Sequence, residues 1–166
     1  MQAIVGFHNI PGYPLGQPLL RQGVFACASQ GLLLRLRGKQ AHAAYPEEGC
    51  NPIPLLAGLL GALPDLCRQV APKGLLLYTP VGFQAGGCNF GVSPGAGSLA
   101  LTLRADRQQD IAALVQAMAA WLTARLPQGM SRSLEDRDVF PDTTNHAPLV
   151  DAGAAILKQA GLSPRF

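Results

Sequence analysis

Three histidines, four cysteines and one adjacent pair of glutamates are the side chains in this 166-residue sequence best suited to acid–base, nucleophilic or metal chemistry. A histidine titrates near neutral pH and can carry a proton or bind a metal, although most are hydrogen-bonded structural or surface residues. His8 and His146 give no local sign of more than that. His42 differs in its setting, Gly38-Lys39-Gln40-Ala41-His42-Ala43-Ala44-Tyr45-Pro46. Alanine on both sides leaves no bulky neighbour to hide the ring. Its place just after a strand would point it outward, toward a ligand. Glu47 and Glu48 are consecutive in a turn, so their carboxylates diverge and read as solvated. Cys27, Cys50, Cys67 and Cys88 include no close pair of the kind that builds zinc or redox sites, and they read as reduced, small apolar fillers. No His-Glu-x-x-His helix, Gly-x-Ser-x-Gly elbow or phosphate-binding glycine loop followed by Lys is present. Gly86-Gly87 reads first as a turn. Taken alone, these residues do not make a complete active site.

The elements that must position them follow from hydrophobic periodicity. Residues 10–28 are turn-rich and read as a connection, preceded by a strand-like start at Met1-Gln2-Ala3-Ile4-Val5-Gly6-Phe7-His8. Across Gly31–Gly38, Leu32, Leu34 and Leu36 alternate with Leu33, Arg35 and Arg37, a half-buried strand. Asn51-Pro52 opens a helix carrying Ile53, Leu56, Leu60 and Leu63 on its apolar side; Pro64 is expected to kink it and Pro72-Lys73-Gly74 to end it. A strand from Leu75 to about Phe83, a glycine-rich loop over 84–97 and a strand from Ser98 to Arg104 follow. The second helix shows Ile111, Leu114, Val115, Met118, Leu122 and Leu126 as one stripe, with Asp106 and Gln109 as an expected capping box. A charged strand over Ser131–Val139 reads as a sheet edge. Residues 140–145 read as a loop, with Asn145 capping a last helix over Ala147–Ala160. From 30 to 139 the order is β-α-β-β-α-β, which defines an α+β, ferredoxin-like sandwich: a four-stranded antiparallel sheet with two helices on one face.

Composition narrows the function classes. Charged residues make up 14% of the chain, against roughly 25% in an average soluble domain. A net charge of +3, spread along the sequence, argues against nucleic acid as a partner. No run approaches the roughly 18 uninterrupted apolar residues of a membrane helix, so no membrane role is expected. So little charge follows either from an Ala/Gly/Leu/Pro-rich source or from a surface meant to be covered.

Several segments together carry a resemblance. Gly6-Phe7-His8-Asn9-Ile10-Pro11-Gly12, then Arg37-Gly38-Lys39-Gln40-Ala41-His42-Ala43-Ala44-Tyr45-Pro46 and Gly49-Cys50-Asn51-Pro52-Ile53, are similar to the metal-dependent aminoacylase/carboxypeptidase family of amidohydrolases. The likeness is greatest to its hippurate hydrolase and indole-acetyl-amino-acid hydrolase branch. Gly86-Gly87-Cys88-Asn89, Val92-Ser93-Pro94 and Leu103-Arg104 resemble that family's Gly-Gly-x-x-Asn-Val-Ile-Pro segment and its strand ending in Arg. Pro141-Asp142-Thr143-Thr144-Asn145 resembles the return to the catalytic domain.

The resemblance implies an enzyme that hydrolyses N-acyl amino acids or small peptides, built from a catalytic domain with two divalent metal ions, zinc or manganese, and an inserted lid that dimerises. Residues 1–28 and 141–166 would flank a lid spanning 29–140. His42 would stabilise the tetrahedral oxyanion in the partner subunit's active site, Asn89 and Arg104 would orient the substrate and hold its carboxylate, and His8 would be a metal ligand only together with the catalytic half. The chain by itself would be inactive, would hold no metal and would form a homodimer through the lid; a cytoplasmic location is expected. The sequence departs from the family in having Gln40-Ala41 where Gly-Gly is usual, Asn51 for an Asp, and two extra residues between Asn89 and Pro94. The other reading of a ferredoxin-like sandwich is a free-standing small-molecule-binding or regulatory module, since this fold serves many functions.

Overall fold

The computed structural model describes residues 4–70 and 74–166, which fall into two compact units. The larger runs from Ala26 to Thr143 and the smaller combines the segments up to Phe25 and from Thr144 onward.

The larger unit is the expected sandwich. Strands β2 (Ala28–Arg37), β4 (Leu76–Ala85), β6 (Ala96–Ala105) and β7 (Ser131–Phe140) form a sheet in the order β4-β6-β2-β7, antiparallel throughout. Helices α1 (Ile53–Val70) and α2 (Gln108–Thr123) cover one face. Strict alternation drives the layering: Leu32, Leu34 and Leu36 of β2, with Leu99, Leu101 and Leu103 of β6, are buried under the helices. Leu56, Leu59 and Leu63 of α1 and Ile111, Leu114, Met118 and Leu122 of α2 meet them. Each such side chain contributes about 1.5–3 kcal/mol by leaving water. The half-buried Val115 continues the α2 stripe, whereas Leu126, expected at its end, packs against the core three residues beyond the helix, which stops at Thr123.

Asn51 opens α1, its Oδ1 accepting the Ile53 N–H at 2.9 Å. The helix continues through Pro64 as one element. By length and composition α1 could cross a membrane, but its buried leucines Leu55, Leu56, Leu59, Leu63 and Leu66 face the protein core. The expected helix end at Pro72-Lys73 lies outside the described residues. The two central strands are longer than the sequence suggested, because pairing on both sides holds their ends. β7 is an edge, as its charge predicts, with Asp138 in the left-handed region (φ 45°) where the register shifts opposite Ser29–Gly31.

The smaller unit contains α3 (Ala147–Gln159), and strands β1 (Gly23–Ala26) and β8 (Thr143–Asn145) pair as a short ribbon. Three expectations fail in and around these segments. Of the strand-like start over 1–8, residues 1–3 lie outside the described residues; residues 4–8 form no strand, and Ile4, Val5 and Phe7 are exposed, with no strand paired to them among the described residues. The loop expected over 140–145 contains β8. Asn145 does not cap α3: its Nδ2 donates to the Arg21 carbonyl at 2.8 Å, and His146 occupies the cap position without a side-chain bond.

Candidate active-site elements

His42 stands on a ribbon that the sequence does not announce. β3 (Ala41–His42) pairs antiparallel with β5 (Val92–Ser93), placing His42 opposite Val92. Below it, Lys39 and Cys50 exchange backbone hydrogen bonds, Lys39 N–H to Cys50 O at 3.2 Å and Cys50 N–H to Lys39 O at 2.7 Å. Beyond it, Ala43 N–H donates to the Gly91 carbonyl at 2.9 Å, and Ser93 Oγ donates to the Ala41 carbonyl at 3.3 Å. Two-residue strands carry too little periodicity to be read from sequence.

Two glycines make this crowding possible. A Cβ on Gly38 would lie 2.0 Å from the Cys50 carbonyl oxygen, and one on Gly95 would lie 2.6 Å from the Gln40 nitrogen. The family-like glycines at 40 and 41 are replaced here by Gln and Ala, and the β3–β5 ribbon forms with those residues in place.

The imidazole of His42 is exposed, and its Nδ1 accepts the backbone N–H of Ala44 at 3.0 Å. A ring nitrogen that accepts carries no proton, so this bond assigns the proton of the neutral ring to Nε2. The outward edge of the ring is therefore a hydrogen-bond donor. Tyr45 lies against it, with ring centroids 5.8 Å apart.

Asn89 is carried on the same tip. Its Oδ1 accepts the Gly91 N–H at 3.2 Å and its carbonyl accepts the Val92 N–H at 3.3 Å. The carboxamide oxygen thus builds its own turn, and among the described residues the NH₂ group has no hydrogen-bond partner. His42 and Asn89 are brought together through Gly91 and Val92.

Arg104 is elsewhere. It is exposed on the uncovered face of β6, opposite Ser29 on one side and Leu77 on the other. The His42 ribbon rises from the Ala96 end of that strand, where Gly38 N–H donates to the Gly95 carbonyl at 2.7 Å. Eight residues of strand separate Ala96 from Arg104, about 27 Å. Among the described residues Arg104 has no ion-pair partner.

In the smaller unit, His8 is exposed and its Nδ1 lies 2.7 Å from the Asn9 carbonyl oxygen. A carbonyl only accepts, so Nδ1 holds the proton and Nε2 of the neutral ring keeps its lone pair. That is the arrangement in which a metal-binding imidazole is oriented by a backbone carbonyl. One donor does not make a centre: among the described residues no three His, Cys, Asp or Glu side chains are grouped to hold a metal. His146 is a helix-cap position, and Glu47 and Glu48 sit exposed on a 3-10 turn (Pro46–Glu48), as expected for a solvated pair. Among the described residues the four cysteines are free; Cys27, Cys50 and Cys67 are half-buried, whereas Cys88 is exposed and fills nothing.

The α+β sandwich with its short projecting ribbon is of the class of peptidase dimerisation domains. The chain belongs to the peptidase dimerisation domain family, whose model matches residues 28–130. It is 26% identical over 155 residues to an IAA-amino acid hydrolase of Arabidopsis thaliana, covering 90% of this chain and 35% of that protein. It is 28% identical over 142 residues to a succinyl-diaminopimelate desuccinylase of Zymomonas mobilis, covering 82% and 36%. An N-acetyl-L-cysteine deacetylase of Bacillus subtilis is 34% identical over 95 residues, 57% of this chain and 23% of that one. The chain therefore spans about a third of the length of these relatives. A solved aminohydrolase structure from Staphylococcus aureus shares the fold, with a TM-score of 0.79 at 19% identity over 90% of this chain and 39% of that one. The chain corresponds to the dimerisation-domain part of these relatives.

Proposed function

We propose that this chain is the lid and dimerisation domain of a metal-dependent amidohydrolase acting on N-acyl amino acids or small peptides. The single observation that carries this reading is the Nε2–H of His42, held outward by the Ala44 N–H bond on a ribbon anchored at Gly91 and Cys50. A donor fixed in advance of the reaction suits the negative charge that develops on a carbonyl oxygen under attack. The names of the relatives point the same way: each describes removal of an acyl group from an amino acid's nitrogen, or hydrolysis of such a conjugate.

Within this reading Asn89 Nδ2 supplies a second donor beside His42, and the guanidinium of Arg104 holds the substrate carboxylate, for which its fork is well matched. The separation of Arg104 from the His42 ribbon then requires two copies. Strand β4 is an edge with no charged residue, and Leu77, Val81 and Phe83 along it, with Leu75 just before it, are exposed. The other edge, β7, carries Arg132, Glu135, Asp136, Arg137 and Asp138, which discourage strand addition. Two-fold antiparallel pairing of β4 with its copy turns one sheet end for end against the other. It brings the His42 end of one protomer toward the Arg104 end of its partner.

The resemblance puts two divalent ions, zinc or manganese, in the catalytic half, where they would activate water and polarise the scissile carbonyl. The described residues contribute one imidazole, His8, toward such a centre, so metal binding and the hydrolytic step rest on residues outside these 166. The test is light scattering across a range of concentrations, combined with an assay for hippurate hydrolysis with added zinc or manganese. A dimer without hydrolysis is expected. A strict monomer at high concentration, or hydrolysis by the chain alone, would overturn the corresponding half of the proposal.

A further inference from the structure

The uncovered face of the sheet carries a polar cleft that the proposed reading leaves unused. It has a volume of about 480 Å³ and lies at the end of β2, β4 and β6 from which the His42 ribbon rises. Arg35 and Arg37 enter it from β2, on the same face because they are two residues apart. In register with Arg35 are Ser98 on β6 and, opposite that, Gln84 on β4. Glycines 38, 86, 95 and 97 form its wall, so backbone rather than side chains closes the end.

The charges in and beside this cleft do not cancel. Glu135 Oε2 accepts from Arg35 at 2.8 Å, and its other oxygen is 2.5 Å from Arg137. One carboxylate is thus shared by two guanidiniums, which fixes Arg35 without neutralising the pair. Arg37 has no carboxylate within salt-bridge distance among the described residues, and no hydrogen-bond partner is found there for the side chains of Ser98 or Gln84. A cluster of unpaired donors with excess positive charge, in a concave site of ligand size, matches an oxyanion. Arg104 lies six residues along β6 from Ser98, about 20 Å away, so it cannot share the same small ligand within one protomer.

We propose that the Arg35–Arg37 cleft binds a small molecule bearing a carboxylate or phosphate group. Arg37 provides the main contact, Arg35 is pre-positioned by Glu135, and Ser98 and Gln84 donate to the remaining oxygens. The shared chemistry is a planar or tetrahedral oxyanion, and two probes separate the sources.

The experiment titrates the full chain, labelled with nitrogen-15, with succinate and separately with inorganic phosphate, following backbone amide shifts. Saturable shifts at Gly38, Gly86, Gly95 and Gly97 are expected with at least one probe, and the tighter of the two assigns the class. Arg37→Ala should weaken binding by about tenfold, the scale of one charge-assisted contact. Arg68→Ala, on helix α1 across the sheet and paired with Asp65, should leave it within about twofold, because additivity holds for a charge with no shared partner. If Arg37→Ala unfolds the chain, the paired variant Gln84→Ala with Arg37→Lys keeps the charge and should still lose most of the affinity. The proposal is overturned if neither probe shifts those glycines, if Arg68→Ala weakens binding as much as Arg37→Ala does, or if both cleft variants bind normally. None of these readouts depends on dimerisation or hydrolysis.

Discussion

Asp142 caps α2 from thirty-four residues away in the chain: its Oδ1 accepts the backbone N–H of Gln108, the first residue of the helix, at 2.9 Å. The sequence-local capping box at Asp106 and Gln109 is not used. Arg107 occupies the cap position with no side-chain bond, and Asp106 turns instead to the Leu75 N–H at 3.0 Å. Gln108 also donates through Nε2 to Gln30 Oε1, and Gln30 donates to Asp136. The helix start is thereby tied to both β2 and β7. Replacing Asp142 with Ala should cost about 1 kcal/mol, the usual loss of a side-chain cap, read as a lower urea midpoint. Asp106→Ala should lower the midpoint too, but by loosening the start of β4 and leaving the α2 cap intact. Hydrogen exchange at Gln108 against Leu75 distinguishes the two.

That pair also marks where sequence reading stops. The sandwich was legible because Leu32/Leu34/Leu36, Leu99/Leu101/Leu103 and the Ile111–Leu122 stripe each repeat at one period over three or more positions. A cap supplied from β7's far side has no local signature, since Asp106 looks the better candidate until chain distance is ignored. The β3–β5 ribbon escaped for a related reason. Ala41-His42 and Val92-Ser93 are too short to show alternation, and only close packing at Gly38 and Gly95 reveals that the segments meet. His42 itself was legible from its alanine neighbours and its place after a strand. Its tautomer was not, because that depends on the Ala44 N–H. The cleft at Arg35 and Arg37 needed the register that sets Ser98 and Gln84 beside Arg35.

Gly38→Ala should be among the most damaging single-methyl additions. The new Cβ would sit 2.0 Å from the Cys50 carbonyl oxygen, a backbone atom that cannot rotate away. The Lys39–Cys50 bridge must open to admit it, and with it the base of the His42 ribbon. A loss of about 1–3 kcal/mol is expected, the range for forced overpacking. Gly61→Ala is the matched control, since nothing lies within 4 Å of its Cβ position and helix propensity favours alanine. A thermal melt of the two variants should move in opposite directions.

On the proposed reading, His42→Ala in the full-length protein should lower kcat by about 10²–10³-fold, the scale for removing one oxyanion donor. KM should change little, because the contact strengthens as charge develops rather than on binding. Stability should also be unchanged, since the ring is exposed and its one internal bond is to a neighbouring turn. A loss of kcat below about threefold would remove His42 from the chemistry.

The cysteines should separate by reactivity. Burial pushes the Cys67 thiol up, a rise only partly offset by the nearby Arg68 charge, so little of it is thiolate near neutral pH. Cys88 is exposed on the glycine-rich loop. Timed alkylation of the native chain, followed by peptide mass mapping, should label Cys88 first and Cys67 only slowly. Equal rates would show that α1 opens readily, since Cys67 lies partly buried against the core.

Acid stability should depend on Glu135. Hydrogen bonding from Arg35, reinforced by Arg137, holds its carboxyl below the usual carboxylate range despite some opposing desolvation. The native chain therefore stays ionised at pH values where the unfolded chain, titrating near about 4.3, has already taken up the proton. Where the unfolded state binds more protons, stability falls as pH falls. The stabilisation is complete above the unfolded pKa and disappears as pH drops through the lower native one. Glu135→Gln removes that dependence, so urea midpoints measured between about pH 3 and pH 7 should fall less steeply in acid for the variant than for the parent. The contribution is modest because all three side chains are solvent-exposed, and added salt should shrink it further. The same substitution leaves Arg35 without its carboxylate, raising the positive charge at the cleft, so oxyanion binding there should hold or tighten in the variant while acid sensitivity declines.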